Sequence, residues 1–265
     1  MSVGLGTEQV NLRHAVRRAK RQKLFASLAR IYASFPETEC ENCARCCFES
    51  PGIFFIEYLH LMEEIGGLPR ARQELLKRRA LGELLFSWVD PQRQCIFLES
   101  SRCTLYQRRP LACRLFGLVS PSDREQAELE ARLAAREEAR RLGLLGIRIP
   151  EEIVTRALVS CERVRDRRGR EVRVDADAMA ARVARLDEAL LPRQVVVREF
   201  CFLSLPERLA MSWWEGDAVE MMRIQLLRRA QSGERVEDLL GEVWEMVAVE
   251  SGKVRGERRK EGRWR

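Results

Sequence analysis

Apolar positions recur at helical spacing through most of the chain. Residues 8–35 place Leu24, Leu28, Ile31 and Phe35 on one stripe, and Pro36 ends the pattern. Ile56 to Ile65 predicts a short helix stopped by Gly66 and Gly67, and Pro69 suits the first turn of another helix reaching about Ala80. The β-branched and aromatic content of Leu84–Val89 and Cys95–Leu98, on either side of 90–94, predicts a small hairpin. Ser122 and Glu125 read as a capping box that opens a charged helix to about Leu142, ended by Gly143. Its weak apolar stripe implies a solvent-facing excursion. Pro150 starts a helix that should deliver Cys161 near its end.

Beyond an arginine-rich turn at 165–170 the pattern changes. Asp175 should cap a helix with Met179, Val183, Leu186 and Leu190 on one face. Gln194–Leu203 is a strand candidate. Two amphipathic helices follow near 217–231 and 235–249, the second striped by Val236, Leu239, Leu240, Val243 and Met246. The expected fold is mainly α with a small β-hairpin: an irregular, metal-stapled cysteine domain with a helical C-terminal extension. The corresponding boundaries are a basic N-terminal helix (1–36), a cysteine domain (37–170), the extension (171–252) and a basic tail (253–265).

The periodicity fails at 40–47, where Cys-Glu-Asn-Cys-Ala-Arg-Cys-Cys puts four thiols in eight positions. Of the nine cysteines, the others are Cys95, Cys103, Cys113, Cys161 and Cys201. Thiols at this density need a metal or an oxidising compartment. The first residues carry no signal-peptide pattern, so a reducing cytoplasmic setting is expected, and nine is an odd count for a closed disulfide set. No apolar run reaches membrane-spanning length, so no membrane is expected as a partner.

A C-x2-C step bends the backbone so that two sulfurs face one point. Two such steps are chained in Cys40, Cys43 and Cys46, the opening of a ferredoxin run, but Ser50 stands where the fourth ligand belongs and Cys47 is out of turn. Adjacent Cys46 and Cys47 should therefore face different sites, completed by distant cysteines. Cys40, Cys43, Cys46, Cys47, Cys95, Cys103, Cys113 and Cys161 make eight candidate ligands, enough for two four-thiolate sites. With only His14 and His60 available, ligation would be nearly all sulfur, which suits zinc or an iron–sulfur cluster. Arg45, Arg102, Arg109 and Arg114 stand near cysteines and could donate to thiolate sulfur. Cys201 reads as an ordinary small apolar residue.

The C-x2-C-x2-C-C run, followed by Cys103-Thr-Leu-Tyr106 and Arg109-Pro110-Leu-Ala-Cys113-Arg114-Leu-Phe116, resembles the YkgJ-like cysteine-cluster family, described as zinc- or iron-chelating. Cys161-Glu-Arg-Val-Arg165 resembles its last cysteine segment, across a gap from Cys113 longer than short members have. The resemblance covers about 37–168 and implies a metal or cluster site. A branch with a similar cluster includes flagellin lysine methylases, so an iron–sulfur-dependent protein-modifying enzyme is the alternative to a structural or electron-carrying role. No phosphate loop, dinucleotide fingerprint or nucleophile elbow accompanies it.

The net charge of +7 divides into +6 over 1–36, +5 over 253–265 and −4 between them. Charge runs at chain ends commonly solvate fraying termini, and no stacking aromatics accompany them except Trp264, which argues against nucleic acid as a partner. A protein partner could use Trp213, Trp214, Met221 and Met222 as an adaptable patch.

Overall fold

The computed structural model describes residues 2–5, 8–39, 43–48, 52–90, 94–155, 161, 164–166, 168–190, 204–211 and 216–246. A hairpin of β1 (Ser2–Leu5) and β2 (Glu8–Asn11) leads into α1 (Leu12–Arg21). The helix expected across 8–35 is thus divided. Lys23 adopts a left-handed conformation (φ 55°) and turns the chain into α2 (Leu24–Ala33). After β3 (Thr38–Glu39) comes a short 3-10 turn at Arg45–Phe48.

The central element is α3 (Phe55–Gly67), which buries Phe55, Ile56, Tyr58, Leu59, Leu61 and Ile65. At about 1.5–3 kcal/mol for each large apolar side chain, this helix is the main hydrophobic contributor of the N-terminal half. The two glycines expected to stop it form its last turn instead. Next is α4 (Arg70–Phe86), entered at Pro69 as expected but continuing well past Ala80. Residues 84–86 are therefore helical, which removes one strand of the expected 84–98 hairpin. The hairpin lies further on: β4 (Leu98–Glu99) pairs with β5 (Arg102–Cys103) through Ser100 and Ser101, both at positive φ. Two successive left-handed residues are what a two-residue type I′ connection needs. Arg79 on α4 holds this hairpin, donating to the Ile96 carbonyl (3.0 Å) and to Glu99 (3.1 Å).

A five-residue helix, α5 (Leu111–Leu115), precedes the long α6 (Pro121–Leu144). The cap of α6 is Ser120, not Ser122: its Oγ accepts from the Asp123 N–H at 3.1 Å, and Pro121 takes the first helical position. As expected, α6 faces solvent along most of its length, with Leu129 and Leu133 each 54% exposed. It is anchored at its end, where Leu142 and Ile147 pack with Leu227. The helix after Pro150, α7, is only Glu151–Val154, and residues 156–160 lie outside the described ones.

β6 (Arg165–Asp166) returns to pair with β3. Asp175 caps α8 (Ala176–Glu188) as expected, accepting from the Ala178 N–H at 2.8 Å. The strand candidate at 194–203 lies outside the described residues. α9 (Leu205–Met211) and α10 (Gly216–Gln231) both pack on α4, and residues 236–246 form α11. On α11, Leu239 and Val243 are buried while Met246 is exposed. Among the described residues no helix is long and apolar enough to cross a membrane.

One apolar core runs from Leu12 on α1 to Val243 on α11. A buried polar tie within it is Asp187 on α8, whose two carboxylate oxygens accept the Phe55 N–H (2.8 Å) and the Ile56 N–H (2.7 Å) at the start of α3. These amides have no partner within their own helix, so Asp187 acts as a cap supplied from 131 residues away.

Asp187→Ala leaves two buried donors unsatisfied and should cost about 2–6 kcal/mol in urea unfolding, at roughly 1–3 kcal/mol per orphaned group. Burial also pushes the Asp187 carboxyl up to about 7. The folded protein then holds a proton that the unfolded chain releases between about pH 4 and pH 7, so this group's contribution to stability falls as pH rises through that window. The wild-type advantage over Asp187→Asn should accordingly shrink between pH 5 and pH 8. An unchanged difference would contradict the assignment.

Candidate metal centre

Three separated stretches of chain bring thiols together. Cys43, Cys46 and Cys47 come from the turn after β3, where Ala44 adopts φ 57° and redirects the backbone between the first two. Cys47 N–H closes this turn onto the Ala44 carbonyl at 2.8 Å. Cys95 follows α4, and its N–H donates to the Cys47 carbonyl at 2.6 Å, fastening the second stretch to the first. Cys103 ends β5, and Cys113 sits within α5.

Cys161 arrives by two close approaches. β6, four residues on, pairs with β3, the strand immediately before Cys40. Gly117, at φ +82°, lets Cys161 and Val164 lie close against the backbone just past α5: a Cβ there would stand 2.7 Å from the Cys161 carbonyl oxygen and 2.8 Å from Val164. The long gap after Cys113 is therefore spanned by α6 and α7 without taking Cys161 away from the other thiols. Cys40 itself lies outside the described residues.

Cys43, Cys46, Cys113 and Cys161 line one small cavity of about 50 Å³, together with Tyr106, Arg109 and Arg114. Cys47 is buried beside it, with its sulfur 3.9 Å from that of Cys46. Cys47 lies within electrostatic reach of Cys95 and Cys103. The seven described cysteines thus share one neighbourhood, and none is in a disulfide. They do not form a closed shell: among the described residues no group of three or more His, Cys, Asp or Glu side chains stands at metal-holding spacing. A larger cavity of about 380 Å³ opens between α4 and α11, and among the described thiols Cys95 alone reaches its wall.

Burial sets the protonation of these thiols. It pushes Cys113 well up, raises Cys95 to about 12 and raises Cys103, with neighbouring thiols adding to each shift. Within the vicinal pair, the shared hydrogen bond holds Cys46 down at about 6 and drives Cys47 up; Arg109 helps to lower Cys46. Several thiolates cannot coexist here without positive charge between them.

The arginines supply part of that charge. Arg109 lies over the Tyr106 ring at 4.1 Å, and its buried Nε has no hydrogen-bond partner. Arg114 lies over the Tyr32 ring at 4.0 Å, held by the carbonyls of Arg109 (3.0 Å) and Gln107 (2.7 Å). Arg102 is exposed on β5, and the Arg45 side chain lies outside the described ones. His60 stacks on Phe25 (centroids 5.1 Å apart) and contacts Arg108 at 2.8 Å, so it is occupied elsewhere.

Sequence reasoning missed the support beneath this cluster. Glu57, buried on the first turn of α3, accepts from the Leu111 N–H (2.5 Å), the Phe54 N–H (3.0 Å) and the Tyr32 hydroxyl. Leu111 begins α5, so Glu57 fixes the helix that carries Cys113. Its only sequence signal is one acid inside the apolar stretch Ile53–Leu59. The donor set fits a thiolate-held metal: it is all sulfur, the cavity takes an ion rather than an organic molecule, and the unpartnered Arg109 Nε can donate to a thiolate sulfur.

Residues 39–135 match the family model CxxCxxCC, "Putative zinc- or iron-chelating domain". This agrees with the resemblance carried by the cysteine spacing and supports metal chelation by this stretch; Cys161 lies beyond the match. No curated protein and no solved structure matches the chain significantly.

Gly117→Ala should test the close approach. Positive φ alone costs an alanine roughly 1–2 kcal/mol, and the clash with the Cys161 carbonyl adds to it. A loss of about 2 kcal/mol or more is expected in urea unfolding, with faster labelling of Cys161 by a thiol reagent. Unchanged stability and labelling would remove Gly117 from the site.

Proposed function

We propose that residues 37–170 form a metal-binding unit in which Cys40, Cys43, Cys46, Cys47, Cys95, Cys103, Cys113 and Cys161 hold zinc or an iron–sulfur cluster, in a structural or electron-carrying role. The observation that carries this reading is the convergence of Cys43, Cys46, Cys113 and Cys161 on one small cavity, from segments up to 118 positions apart. Bound zinc would supply about 10–16 kcal/mol of cross-linking free energy, and an iron–sulfur cluster would add one-electron transfer.

The protein's own groups set the terms of binding. Glu57 holds α5 and so the direction from which Cys113 approaches. Gly117 admits the Cys161 segment. Arg109 offsets thiolate charge through its cavity-facing guanidinium. A cavity of about 50 Å³ has room for an ion rather than an organic substrate, which favours this role over the protein-modifying alternative. Free thiols in this number fit a reducing compartment, and cytoplasmic residence is part of the proposal.

Anaerobic purification followed by elemental analysis and an absorption spectrum tests the reading. Iron with acid-labile sulfide assigns the electron-carrying role, and zinc without sulfide the structural one. Neither metal above trace would overturn the proposal. Cys113→Ser and Cys161→Ser should each lower the metal content, whereas Cys201→Ser, outside the ligand spacing, should leave it unchanged.

A further inference from the structure

Residues 12–33 carry seven basic side chains and no acid. In sequence this looks like a solvated chain end. In the structure it is two packed helices: Leu12, Ala15 and Ala19 of α1 and Leu24, Leu28 and Ile31 of α2 are buried in the main core. The cations therefore stand on a fixed surface. Arg13, Arg17 and Arg21 are exposed at four-residue intervals along one side of α1, about 6 Å apart at 1.5 Å rise per residue. Lys20 and Lys23 are exposed beside them.

Helix stability alone does not explain this arrangement. Basic residues in the last turn of α1 (Arg18, Lys20, Arg21) suit its negative end, but Arg13 sits in the first turn, against the positive end, and that turn holds no acid. Among the described residues Lys20 pairs with Glu63 of α3, while Arg13, Arg17, Arg21 and Lys23 meet no carboxylate. Locally unfavourable charge on a rigid face is a mark of function.

We propose that the outer face of α1, centred on Arg13, Arg17 and Arg21, binds the phosphate backbone of duplex nucleic acid without reading its sequence. Charge density selects the partner. A duplex presents one phosphate per roughly 1.7 Å of axis, so α1, about 15 Å long, can lie beside some eight or nine charges. Carboxylates on one face of a protein helix recur at a similar spacing of about 5–6 Å but in a single row, so they bring fewer charges within reach of these cations than a duplex does. Membrane insertion needs apolar anchors on the exposed side. None of the large exposed apolar residues among the described ones (Leu75, Leu129, Leu133, Leu144, Met246) lies on α1 or α2. The face has no exposed aromatic on which single-stranded bases could stack, which favours a duplex.

The test is fluorescence anisotropy of the full chain with labelled 20-base-pair DNA and RNA duplexes at 50–200 mM salt. Vesicles containing phosphatidylserine and an acidic polypeptide, poly-glutamate, serve as rival partners. Binding to either duplex is expected to weaken at least tenfold in R13Q/R17Q/R21Q. The slope of log affinity against log salt should fall by about 3, since each phosphate contact contributes roughly 0.9. R136Q/R140Q/R141Q removes the same charge from α6 and should change affinity less than twofold. The proposal is overturned by absence of duplex binding at 50 mM salt, by equal losses in the two triple variants, or by tighter binding to vesicles or poly-glutamate. It is equally overturned if duplex binding survives the α1 changes and is lost when the basic residues of 253–265 are neutralised.

Discussion

The start of α3 is where the fold is tied together, and two buried carboxyl groups make the tie. Asp187 takes the Phe55 and Ile56 amides, and Glu57 takes that of Phe54. Capping alone would need only one acceptor from a neighbouring residue. Here one cap comes from α8, and Glu57 also holds the Leu111 amide and the Tyr32 hydroxyl. A single helix terminus thereby sets the positions of α2, α5 and α8. Burial raises both carboxyl groups out of their ordinary range, Glu57 chiefly by desolvation. Such groups are tolerable inside a protein only when hydrogen-bonded, which makes their partners mutually dependent.

The thiol cluster inherits its geometry from that tie. Cys113 rides on α5, whose first amide Glu57 fixes, and Arg114 beside it covers the ring of Tyr32, whose hydroxyl meets the same carboxylate. Burial and neighbouring thiols favour the protonated form of Cys95, Cys103 and Cys113, so a cation bound by these three would displace protons from sulfur. Arg109 and Arg114 lower that cost without ligating. The fold thus provides a positioned but open set of sulfurs, with the Arg109 guanidinium lining the same cavity.

What was legible in the sequence follows from which forces are local. Helices with one apolar stripe and a local cap, such as α8 behind Asp175, could be placed from spacing alone. The hairpin could not: its connection, Ser100-Ser101, lacks the Asn-Gly or Asp-Gly signal of a type I′ turn, while the aromatic and β-branched residues at 84–89 suggested a strand that α4 absorbs. Ser122 was a plausible cap by pattern, but Pro121 belongs inside the first turn, which moves the cap to Ser120. The cysteines that share a neighbourhood were legible as a set. What joins Cys161 to them was not, because the β3–β6 pairing and the bare backbone at Gly117 are contacts between residues 44 or more apart. Glu57 was invisible for the same reason: an acid in an apolar helix acquires meaning only from the distant amides it accepts.

The C-terminal helices bear on the thiols through packing as well as through Asp187. α9 and α10 lie on α4, which carries Arg79 and so restrains the hairpin that ends in Cys103. The packing of α9 and α10 therefore bears, through α4 and Arg79, on the hairpin that ends in Cys103, whereas Cys43 and Cys46 sit on the turn that follows β3, the strand paired with β6. Beside the α5 support of Cys113, the α4 side and the β3 side of the thiol neighbourhood meet at the Cys95 to Cys47 backbone bond. Metal bound as proposed would join the two sides at that junction, which would link the packing of α9 and α10 to its affinity.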